Sequence, residues 1–238
     1  MDQVNPYASN PIADYPVDTR SEFIRKTYLH LAGAIGAFAV LEALMLKAGL
    51  GDTALALIGT SKYSWLVVLG GFMIVGWLAT RLATSAASVT TQYVGLALYT
   101  LAEAFIFLPM MAIAIKMTGS AVIIGQAGVL TGALVLGITT IAFTTKKDFT
   151  FMGGILKIGG FVALGLIVAS IFMGFSLGLW FSAAMVIFAC GAILYDTSKI
   201  MYHYGPGQHV AASLSLFASV ALLFWYVLRI LMSLSGRD

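Results

Sequence analysis

Five ionisable side chains, Glu42, Glu103, Asp196, Lys199 and Arg229, stand inside apolar runs of the sequence. A charge in hydrocarbon is costly to insert, so each needs a partner, water or a purpose. Asp196 lies in the stretch GAILYDTSKIMYHY, where Ser182, Ala189, Ala192, Asp196, Lys199 and His203 share one helical face. That face is small and polar, so it is expected to point into the protein. At a rise of about 1.5 Å per residue, Asp196 falls within about 10 Å of the nearer membrane surface. Carboxylate oxygens suit hard cations, which makes Asp196 the candidate to meet one. The competing reading is a structural ion pair with Lys199 one turn on, although Lys199 can instead reach to the headgroups as an anchor.

Glu103 sits near the middle of its run, in YTLAEAFIFLP, with no basic residue one turn away. It reads either as a proton or cation site or as a neutral hydrogen-bond partner between helices. Pro109 in the same run removes a backbone donor and leaves a carbonyl open. Farther on, Ser215, Ser219, Leu222, Tyr226 and Arg229 recur at alternating intervals of four and three, one polar stripe on a helix. A spanning helix with such a stripe is expected among other helices rather than in lipid. Arg229 either snorkels to the interface or forms a buried pair with Glu42. Catalysis finds no footing: there is no metal-binding motif and no nucleophile–histidine pair, so neither a catalytic residue nor a cofactor is expected. His30, His203 and His209 are not spaced as a ligand set, and the one cysteine, Cys190, reads as a small buried hydrophobe.

The elements that must position these groups are membrane spans. Of 238 residues 60% are hydrophobic and 10% charged, and the mean hydropathy is +0.96. A soluble domain carries roughly 25% charge, so lipid must be the solvent here. The net charge of +3 is too small and scattered for a nucleic-acid surface. Seven all-α spans are expected, at about 27–46, 64–83, 92–115, 120–144, 154–173, 179–198 and 209–233, each near the roughly 20 residues that cross the hydrocarbon. Gly49, Gly51 and Asp52 break the first connection; residues 85–91, 118–120, 146–148, 174–178 and 205–207 make the others. The boundaries at 115/120 and 173/179 also admit a re-entrant pair.

Residues 1–21, polar and carrying Pro6, Pro11 and Pro16, read as a disordered tail ahead of a transmembrane domain at 22–238. Eight basic residues (Arg20, Arg25, Lys26, Arg81, Lys146, Lys147, Lys157, Lys199) lie on the side of the N-terminus, against four (Lys47, Lys62, Lys116, Arg237) on the other. The positive-inside rule therefore puts the N-terminus in the cytoplasm. Tyr63, Trp65 and Trp180 fall at one interface and Tyr202 and Tyr204 at the other. Gly128 with Gly132, and Gly33 with Ala37, have the spacing of closely packed helices.

Three stretches, SEFIRKTYLHLAGAI, TTIAFTTKKDFTFMGGIL and ILYDTSKIM, together with the ending FWYVLRIL, carry a resemblance to the Bax inhibitor-1 family, the transmembrane Bax inhibitor motif-containing proteins, in a bacterial member. The likeness covers about residues 20–233. It implies two layers of three helices around a central C-terminal helix, in a bacterial inner membrane. It also implies a pH-sensitive passive calcium leak, gated by two aspartates of the sixth and seventh spans that share a proton, with an arginine able to pair with them. Asp196 matches the first aspartate, and Arg81 matches the arginine by position. Aligned on FWYVLRIL, Ser219 stands where the second aspartate would be, and Glu103 is the candidate to supply the second acid from another helix. The alternative implied by the resemblance is a non-conducting regulator that binds other membrane proteins, such as a membrane-bound AAA protease, with the N-terminal tail as a handle. Coupled secondary transport has no support, since neither an internal repeat nor paired broken helices are evident.

Overall fold

A computed structural model describes residues 11–85, 88–145 and 147–236. Among them run eight α-helices: α1 Val17–Lys47, α2 Leu50–Gly59, α3 Ser64–Ala83, α4 Val89–Thr118, α5 Val122–Thr145, α6 Gly153–Met173, α7 Gly178–Tyr202 and α8 His209–Ser235. Short 3-10 turns cover Ile12–Asp14 and Thr150–Met152. All but α2 are long and apolar enough to cross a bilayer. The protein is thus an all-α membrane protein, and its many outward apolar residues, Trp180 at 88% exposure among them, face lipid rather than water.

α4 and α5 are separate long helices joined by the turn at Gly119, and α6 and α7 likewise at Gly174. Neither junction is a re-entrant pair. The break after α1 differs from expectation. Gly49 adopts φ 75°, the left-handed conformation that glycine tolerates best, but the helix restarts at once as α2. Gly51 does not stop α2. It seats α2 against α4, where an added Cβ would lie 3.0 Å from that of Ala112.

The segment read as a disordered tail, residues 1–21, falls partly among the described residues. Residues 1–10 of it lie outside the described residues, as do Lys146, Arg237 and residues 86–87 of the second connection. From residue 11 the chain is built in: Pro16 precedes the first turn of α1, as proline can where no amide partner is needed. Ile12 is 1% exposed, and its N–H donates to the Tyr204 carbonyl at 2.8 Å. One large apolar side chain among prolines suffices to pin the segment once a pocket receives it.

α8 packs against α1, α3, α4, α5 and α7. It shares the interior with α4, which is buried on most sides. Phe38 of α1, Phe107 of α4 and Phe217, Phe224 and Trp225 of α8 interlock there, with Phe38–Phe107 and Phe107–Trp225 edge-on at 5.2 and 4.9 Å. Such ring pairs add roughly 0.5–1.5 kcal/mol each beyond area burial. The tightest backbone approach is at Gly95, where a Cβ would come closer than 3.0 Å to Ala83 N and Ala79 O of α3. Gly33, Gly128 and Gly132, whose spacing suggested close packing, have open space at the Cβ position instead. α6 is the most peripheral span and packs chiefly on α7 and the Thr150–Met152 turn.

Candidate functional site

The buried stripe of α7 and the polar stripe of α8 meet at Asp196, which is 6% exposed. The Ser215 hydroxyl donates to Oδ1 at 2.7 Å, and the Ser219 hydroxyl donates to Oδ2 at 2.6 Å. Two serines four apart sit one above the other on a helix, so one carboxyl bridges both and clamps α7 to α8. The Tyr204 phenol lies beside Ser215 and within electrostatic reach of Asp196. Lys199 does not form the ion pair weighed for it. Its ammonium stands over the rings of Tyr195 and Tyr204, 5.4 and 5.2 Å from their centroids, where cation–π attraction holds it.

Glu103 of α4 is 4% exposed and hydrogen-bonds Tyr99, one turn earlier. Tyr99 also feels the charge of Asp196, so its phenol stands in the electrostatic neighbourhood of both acids. An open-sided cavity of about 650 Å³ lies between α3, α4, α6, α7 and α8. Glu103, Tyr99 and Ser219 line one part of it, and Arg229, ten residues beyond Ser219 on α8, lines another.

Two other residue assignments are corrected. Glu42 and Arg229 are not paired. Glu42 is 2% exposed with no hydrogen-bond partner for either oxygen. It belongs to the interior stripe of α1, which contains Phe38 and meets the Phe217 and Phe224 side of α8. Arg229 is about 140° around the helix from Phe224, at 3.6 residues per turn, and faces the cavity. Arg81 does not approach Asp196 either. It is exposed near the end of α3, its guanidinium 4.7 Å from the Trp77 ring centroid, as suits a headgroup-facing arginine.

A second polar cluster carries no signature in the residue spacing. His30 of α1 and His209 of α8 have ring centroids 4.9 Å apart. His30 Nε2 is 2.7 Å from the Tyr93 hydroxyl of α4, and its Nδ1 is 2.6 Å from the Lys26 carbonyl. Three helices supply these groups, so no spacing within one could reveal them. Among the described residues no three His, Cys, Asp or Glu side chains converge as metal ligands. Asp196 could offer a calcium ion only oxygens that already accept serine protons.

A family profile described as inhibitor of apoptosis-promoting Bax1 matches residues 20–236. An uncharacterized protein of Pseudomonas aeruginosa is 32% identical over 175 residues, 72% of this chain and 76% of the relative. An Escherichia coli protein named modulator of FtsH protease YccA is 37% identical over 115 residues, 44% of this chain and 52% of the relative. A Golgi anti-apoptotic protein of Vaccinia virus is 32% identical over 114 residues, 46% of each chain. The chain thus spans about half the length of the latter two.

Proposed function

The chain belongs to the Bax inhibitor-1 family, and on that premise we propose that it is a bacterial inner-membrane modulator of other membrane proteins, a membrane-bound AAA protease foremost. The observation that carries this reading is the clamp at Asp196. Both carboxyl oxygens accept serine hydroxyls, and Ser219, one of the two, stands where the resemblance puts a second acid. Such a carboxyl is engaged at both oxygens by its own bundle. It fastens two helices, and a cation would have to share its remaining lone pairs or displace the serines. The similarity to a relative named as a protease modulator supports the same reading. The excess of basic residues beside the N-terminus supports a cytoplasmic N-terminal face.

The test is co-reconstitution with a membrane AAA protease and a labelled membrane substrate. A substrate half-life changed at least twofold by the protein, with the two co-purifying, is the expected result. An unaltered half-life and no association would overturn the proposal.

A second reading, a calcium leak gated at Asp196, is favoured by one observation: the cavity reaches Glu103 and Ser219. Liposomes loaded with a calcium dye, assayed from about pH 6 to 8, a range that brackets a carboxyl perturbed by burial, separate the two. Flux abolished by Asp196→Asn would establish the leak. Flux absent from the wild type and acquired by Ser219→Asp would show that the missing acid is what silences it.

A further inference from the structure

The cavity contains an unused charge. Arg229 is half-buried in its wall, and among the described residues no carboxylate pairs with it. Several of the other polar groups there are engaged within the protein: Ser219 donates to Asp196, Ser170 donates to the Ile167 carbonyl, and Glu103 bonds Tyr99. The remaining walls are largely apolar, with Trp65 and Phe72 on α3 and Ile167 and Ile171 on α6. α3 and α6 face each other across this space and touch through Tyr63 and Phe172, ring centroids 5.6 Å apart. An unpaired guanidinium and an apolar chamber in contact with lipid define the chemistry of an occupant.

We propose that this cavity binds a single-chain anionic amphiphile, a long-chain fatty acid, with its carboxylate on Arg229 and its alkyl chain among the α3 and α6 side chains. Arginine is suited to the headgroup because its planar fork matches a carboxylate with two parallel hydrogen bonds. Size admits the tail. A methylene takes about the space of a water molecule, roughly 30 Å³, so sixteen carbons need about 480 Å³. The cavity of about 650 Å³ accommodates one such chain. The charge sets polarity: a cationic amphiphile would meet the guanidinium with like charge, whereas Glu103 lies deeper and already has a partner.

The walls supply a reporter. Trp65 and Trp225 stack at 5.7 Å in the cavity, while Trp77 and Trp180 point outward at 59% and 88% exposure. In a Trp77→Phe/Trp180→Phe background, in phosphatidylcholine nanodiscs, dibromostearate is titrated and tryptophan fluorescence read. Saturable quenching is expected. Arg229→Gln should raise the half-quenching concentration about tenfold, as loss of a charged hydrogen bond does. Arg229→Lys, which keeps the charge but not the fork, should fall between wild type and Arg229→Gln, and Ala218→Phe, which fills the cavity, should abolish saturation. Quenching that only grows linearly, or that is insensitive to Arg229→Gln while the variant's melting temperature is unchanged, overturns the proposal. Equal affinity for dibromostearyl alcohol overturns the anionic assignment, and stronger competition by phosphatidylglycerol than by stearate overturns the single-chain one.

Discussion

The clamp between α7 and α8 makes a quantitative demand. Its two bonds, 2.6 and 2.7 Å long, both run from a serine hydroxyl to a carboxyl oxygen, an arrangement that an ionised carboxyl, an acceptor at both oxygens, accommodates. A hydrogen bond to an ionised group contributes about 1.5–3 kcal/mol. Neutral side-chain bonds between membrane helices average only about 0.6 kcal/mol. The double-mutant cycle of Asp196→Ala and Ser219→Ala should therefore give a coupling of at least about 1.5 kcal/mol, inside the range for residues in contact. The parallel cycle comparing Asp196→Asn with Ser219→Ala tests the charge directly, since asparagine keeps the shape and offers a neutral acceptor. Replacing aspartate by asparagine should reduce the interaction with Ser219 to about 0.6 kcal/mol. Reversible unfolding in mixed detergent micelles, followed by tryptophan fluorescence, supplies the free energies. A coupling near 0.6 kcal/mol for the native carboxyl would refute the charged clamp.

Three further outcomes follow from the packing and the loops. Gly95→Ala should destabilise the protein by roughly 1–3 kcal/mol, because a Cβ there meets α3 backbone that cannot rotate away; Gly128→Ala, in open space, should be neutral or slightly stabilising in the same thermal melt. Ile12→Asp should expose residues 11–16 to a soluble protease added on the N-terminal side, since a charge cannot occupy the buried Ile12 site without a partner; an unchanged cleavage rate would deny that Ile12 anchors the segment. Asp148, in the loop before α6, is held below its ordinary 3.8, first by side-chain and backbone hydrogen bonds with Thr150. Its contribution to holding the loop on Ser198 is complete above pH 3.8 and lost as pH falls through the depressed value, so loop amide exchange should quicken only below that pH in wild type and show no such step in Asp148→Asn.

The spans were legible because each hydrophobic run is long and ends in turn chemistry, and the facing of Ser215 and Ser219 was legible from their four-residue spacing. Relations between helices were not. Glu42 and Arg229 share a depth in the topology but look to opposite sides of α8, and depth alone does not distinguish these. Arg81 matches the family's arginine by position alone, whereas its own neighbour Trp77 decides its direction. Small-residue spacing pointed to Gly33, Gly128 and Gly132, while Gly95, without such a partner in its own helix, makes the close approach because α3 presents Ala79 and Ala83 to it. α2 was hidden by two glycines that usually break helices. Tyr99, which stands near both acids, has nothing in its local sequence to set it apart from the other interior aromatics.

The short segment ending in α1 has a thermodynamic consequence. The Ile12 amide holds the carbonyl of Tyr204, whose phenol neighbours Ser215 and Asp196. A protein that drew residues 11–16 away from the bundle would break that bond and free the residue beside the clamp. If that release weakens the hold of Asp196 on its serines, linkage makes the coupling reciprocal: loosening the clamp would change the affinity for that partner by the same factor. The N-terminal segment and the intramembrane carboxyl would then be two ports of one equilibrium.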